Sequence, residues 1–86
     1  MAYYQKQKLG ELPKNHHIDD RKWLNENLGY LDEETRSKIC NAYSRAFRDA
    51  EHQEPLDYKK SNKARFAANS RLRIFIKKRF AVFNRS

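Results

Sequence analysis

Residues 57–83, DYKKSNKARFAANSRLRIFIKKRFAVF, hold the reading on which the fold turns. At 100° per residue, Ala64, Ala68, Leu72, Phe75, Ile76, Val82 and Phe83 share one broad face, with Arg65 and Arg79 intruding. Lys59, Lys60, Lys63, Arg71, Lys77 and Lys78 lie opposite, with Ile74 among them. At period two, Leu72, Ile74, Ile76, Phe80 and Val82 alternate with Arg71, Arg73, Lys77 and Arg79, the pattern of a half-buried strand. Helix is the preferred reading over 57–82, because a strand needs a partner and only the weak stretch from Tyr3 to Leu12 offers one. Ala64, Arg65, Ala67 and Ala68 favour helix strongly, and Asp57 is placed to cap it.

Such a helix is about 39 Å long at ~1.5 Å per residue, more than two shorter helices can cover. The expected solutions are a break near Asn69 and Ser70, a fold-back of the N-terminal arm, or a second copy of the chain. The aromatic cluster Phe75, Phe80 and Phe83 makes a homodimer through this end a candidate.

The same segment carries the charge. Residues 1–18 sum to +2, residues 19–57 to −4 and residues 58–86 to +10, with no Asp or Glu after Asp57. Solvated helix faces are normally of mixed sign, whereas Lys59 with Lys63 and Arg73 with Lys77 are like-charged pairs at i, i+4. An external polyanion supplies the missing counter-charge, which ranks nucleic acid, DNA or RNA, first among partners. The residues expected to meet phosphate are Lys59, Lys60, Lys63, Arg71, Arg73, Lys77 and Lys78, with Lys6, Lys8 and Lys14 of the arm adding contacts. Asn62, Asn69 and Ser70 are weak candidates for base or phosphate hydrogen bonds. Phe66, Ile74 and Phe80 either stack on bases or finish the core, and core completion is the preferred reading.

Working back toward the N-terminus, Asp32 caps a helix over 33–53. Glu33 and Glu34 sit in its first turn, and Pro55 ends it. Ile39, Tyr43, Ala46, Phe47 and Ala50 form its apolar stripe, with Cys40 at the margin. A shorter helix over about 20–28 is expected from Asp19 or Asp20 as cap, an Ile18–Trp23 staple, and Gly29 as C′ residue. Trp23, Leu24 and Leu28 are its buried side. Residues 1–17 lack either period and read as a partly ordered basic arm, set before a single helical domain over 18–86.

The whole is an all-α, three-helix domain with a long basic C-terminal helix. Two Gly and two Pro in 86 residues are too few for a many-stranded sandwich, and eleven aromatics supply the core area that so short a chain needs.

Chemistry is sparse. One cysteine excludes an internal disulfide, and Cys40 with three His leaves no four-ligand zinc set of the usual spacing. No cofactor and no enzymatic activity are expected, since the paired carboxylates Asp19–Asp20 and Glu33–Glu34 stand where helix starts want them. Without a signal-type or membrane-spanning apolar run, a cytoplasmic protein off the membrane is expected. The alternative to nucleic-acid binding is a protein-binding adaptor or inhibitor, of the kind small phage or mobile-element genes encode, docking its basic helix on an acidic protein surface.

Overall fold

The computed structural model of the chain describes residues 10–84, with side chains through Arg79. An irregular segment with a bend at Lys14 and Asn15 leads into a 3-10 turn, Ile18–Asp20, and three helices follow: α1 (Arg21–Leu28), α2 (Glu33–Gln53) and α3 (Asp57–Asn84). No strand occurs among the described residues, so the fold is all-α and the period-two pattern at 71–82 belongs to a helix. Continuity explains the outcome. From Asp57 to Asn84 the chain meets neither Gly nor Pro, so the ladder begun by the alanine-rich turns extends without a new nucleus. The break considered at Asn69 and Ser70 does not occur.

Local chemistry sets the bounds of α2. The Asp32 carboxylate accepts from Thr35 N at 3.2 Å. At the other end the residue before Pro55 is extended, with Glu54 at φ −94° and ψ 114°. The turn into α3 is held by the Glu54 carboxylate, which accepts from Leu56 N at 3.1 Å. Asp57 stands inside the first turn of α3 rather than ahead of it as a cap.

The start of α1 departs from expectation. Asp20 occupies the N-cap position, yet its side chain makes no cap hydrogen bond, and His17 instead accepts from Asp19 N at 3.1 Å. Asp20 turns inward to two donors on α3, Asn69 and Arg65, of which the two-pronged guanidinium is a stronger partner than a backbone amide. Ile18 is 67 % exposed and staples nothing. Gly29 ends α1 with right-handed φ −65° and ψ −17°, so the position does not use the left-handed freedom expected of a C′ glycine.

The N-terminal segment is better held than an arm. Over residues 10–17 it lies along α2: Arg36 Nε donates to Glu11 O at 2.7 Å, Asn15 N donates to Ser44 Oγ at 3.2 Å, and Pro13 is buried. Arg36, 4 % exposed, also donates to Asn25 Oδ1 at 3.2 Å, tying the segment, α1 and α2 together. Tyr3, Tyr4, Lys6 and Lys8 lie outside the described residues.

The core is built where the two long helices run side by side. Ala64 and Ala68 of α3, both fully buried, let α2 approach closely, and Tyr43 and Phe47 stack beside them with centroids 6.4 Å apart. Leu24 and Leu28 of α1, with Leu31 from the α1–α2 connection, close one side; each such leucine contributes about 1.5–3 kcal/mol when fully buried. Cys40, placed at the margin by periodicity, is 1 % exposed, and burial pushes its thiol up to about 11. The molecule measures 44 × 33 × 18 Å, with a long dimension close to the ~42 Å of a 28-residue helix and a thickness of two packed helices.

Candidate nucleic-acid interface

A continuous α3 gives each candidate cation a defined direction, and the seven divide into three groups. At 100° per residue Lys59, Lys63, Arg73 and Lys77 fall within an arc of about 80° on the side away from α2 and the core. All four are exposed. From Lys59 to Lys77 the row spans about 27 Å of helix. Arg71 and Lys78 point about 100° to one side of the row and border a groove between α2 and α3. Lys60 is committed to the fold: its ammonium donates to Glu51 O at 2.9 Å and to Glu54 O, satisfying carbonyls at the C-terminal end of α2.

Within the row, local partners hold the side chains loosely. Lys63 Nζ stands 3.8 Å from Glu54 Oε1 with most of its side chain in water, so this pair contributes ~0–1 kcal/mol and is exchangeable. The Arg73 guanidinium lies over the Trp23 ring at 5.0 Å, and Lys59 Nζ lies 5.9 Å from the Tyr58 ring centroid. Among the described residues, Glu54 is the only carboxylate in ion-pair range of the row. The acids of the middle segment therefore do not neutralise it.

Arg65, read as an intrusion into the apolar face, is matched instead. Its guanidinium makes a two-pronged contact with Asp20, Nε to Oδ2 and Nη2 to Oδ1, both at 2.9 Å. Asn69 Nδ2 donates to the same Oδ2 at 3.1 Å, while Asn69 Oδ1 accepts from the Tyr43 hydroxyl at 2.5 Å. Arg65 holds the Asp20 carboxyl below the usual carboxylate range, and burial pushes Tyr43 up to about 12. Asn69 is thus a structural residue and no base reader. Asn62 is exposed and Ser70 half-buried.

The aromatic expectations divide as well. Phe66 is 73 % exposed, so it does not complete the core. It sits in the row, seven residues after Lys59 and seven before Arg73. Ile74 is 53 % exposed at the groove, and Phe75 is half-buried there under the Arg79 guanidinium, 5.9 Å from its ring centroid. The side chains of Phe80 and Phe83 lie outside the described ones. Periodicity alone did not separate row from rim, since which side of α3 the groove occupies depends on how α2 packs.

Among the described residues no three His, Cys, Asp or Glu gather as a metal site, and no helix is long and apolar enough to cross a membrane. His16 Nδ1 lies 2.6 Å from Pro13 O and donates to it. Comparison of the chain with protein-family models, curated proteins and solved structures found no match.

Proposed function

We propose that the protein is a non-enzymatic nucleic-acid-binding module that lays the outer row of α3 along a phosphate backbone. One observation carries this reading: Lys59, Lys63, Arg73 and Lys77 share an exposed line centred on an exposed phenylalanine, with a single weak internal counter-ion. Over the ~27 Å of the row one strand of a duplex presents about 8 charges, at one per ~3.4 Å of axis, and contacts to phosphate carry no base sequence, so binding follows charge and shape. Phe66 offers a π face to an unpaired base, which favours single strands over duplex of equal length. Arg73, braced on Trp23, enters the contact with less side-chain freedom to lose than a free lysine.

Fluorescence anisotropy with duplex DNA, single-stranded DNA and RNA across a salt series tests this. With four phosphates neutralised, log K falls against log salt with a slope of roughly −3 to −4 on duplex and about −3 on single strands. A slope near zero on every strand type sinks the proposal.

A further inference from the structure

Opposite the side covered by the N-terminal segment and α1, the α2–α3 pair leaves a groove of about 490 Å³. Its floor is Ala68, Leu72 and Phe75, its α2 wall is Ile39 and Ala42, and its α3 rim reads Arg71, Ile74, Lys78 at i, i+3, i+7. None of the lining comes from residues 10–31. The two charged residues of the lining are both cations, and neither is paired with a carboxylate among the described residues. An apolar trough with a one-sign rim states the chemistry of its occupant: apolar in the middle and acidic along one edge.

We propose that this groove docks an acidic amphipathic helix of a partner protein. The trough runs along α3 from Ala68 to Lys78, about 15 Å or three helical turns, and two side-by-side helices present a furrow into which a third packs at ~8–10 Å. Both walls are helices whose backbone groups are already bonded, so no free edge exists for an extended peptide to pair with; a helix brings its own satisfied backbone. Anchors at i, i+3 or i+4 and i+7 reach the floor, and carboxylates two turns apart match Arg71 and Lys78, ~10.5 Å apart along α3. A second copy of the chain fits less well, because its own groove would bring the same two cations against these. A nucleobase fits less well too, since Phe75, the floor's one ring, is half-buried with the Arg79 guanidinium 5.9 Å from its centroid, and Tyr43 is only 2 % exposed. The inference is independent of the outer row, which faces another direction.

The test uses the full chain and a fluorescein-labelled helical peptide of about 15 residues, with leucines at i, i+3 and i+7 and glutamates flanking them. A control peptide carries lysine in place of each glutamate. The acidic peptide is expected to bind in the micromolar range and the lysine peptide at least tenfold more weakly. R71E/K78E and Ile74→Asp, at exposed positions and checked for native circular dichroism, each lose at least tenfold in peptide affinity. K59E/K77E on the outer row stays within about threefold. Absence of binding by the acidic peptide overturns the proposal, as does equal binding of the lysine peptide. So does equal loss in the outer-row and rim variants, which reports diffuse charge attraction. Two further outcomes overturn it in favour of another occupant. Self-association in sedimentation that Ile74→Asp abolishes assigns the groove to a second copy, and displacement of the peptide by an RNA oligonucleotide, with matching loss of RNA affinity in R71E/K78E, assigns it to nucleic acid.

Discussion

Asp20→Ala lowers stability by about 2–3 kcal/mol, a shift in melting temperature of roughly 10–20 °C for a domain of this size. The carboxylate is the hub of a network reaching both long helices, with 9 % of the residue's surface exposed. Removing it strands the Arg65 guanidinium and leaves Asn69 Nδ2 without an acceptor. The effect falls below the ~3–5 kcal/mol of a fully buried ion pair because the Arg65 side chain keeps 30 % of its surface and some water. Thermal unfolding followed at 222 nm measures it. A loss below about 0.5 kcal/mol, the ordinary range for a surface change, would mean that the network does not hold α1 in place.

The same residue shapes the acid limb. Arg65 lowers the folded-state pKa of Asp20 relative to the unfolded chain, so the pair's contribution is fully present above the unfolded value near 3.8 and fades as pH falls through the folded one. Asp32 has the same sign, through hydrogen bonding to the Thr35 side chain first and to Thr35 N second. Stability of the wild type declines below about pH 4 more steeply than that of Asp20→Asn, read from urea midpoints across the range.

The second large effect is on binding. K59E/K77E removes two phosphate contacts from opposite ends of the row, which reduces the salt slope by about 2 and affinity by roughly a hundredfold near 50 mM salt. Both positions are exposed and away from the core, so the fold is retained. Phe66→Ala leaves the slope unchanged and weakens single-strand binding by ~1–3 kcal/mol, with little change on duplex. A Phe66→Ala variant that binds every strand as the wild type does removes the stacking role and leaves the phosphate row standing.

How much of this was readable in advance follows the range of each interaction. The ends of α2 were, because Asp32, Thr35 and Pro55 act within a few residues. So was the helical nature of α3, and the exposure of Lys59, Lys63, Arg71, Arg73, Lys77 and Lys78, whereas Lys60 is half-buried and tethered to the end of α2. Asp20 misled, because its partners Arg65 and Asn69 lie 45 and 49 residues away and a carboxylate before a helix reads as a cap. Arg36, Ser44 and Asn69 look like surface residues by composition, and only their distant partners explain their burial. Phe66 was drawn into the core by hydrophobicity, although the alanines at 64 and 68 set the buried side and leave it about 160° from Ala68. The candidate surface therefore emerged as one basic face from the sequence and as a row, a rim and a tethered lysine from the packing.

The long chain separation between Asp20 and its partners also bears on the order in which the molecule assembles. Antiparallel α2 and α3 meet across a three-residue connection and close a small loop, whereas docking of the N-terminal third closes a large one. Loop-closure cost then predicts that the hairpin forms in the nucleation step and the Asp20 clasp after it. Weakening the clasp then accelerates escape from the native basin while the refolding limb of a chevron stays where it was.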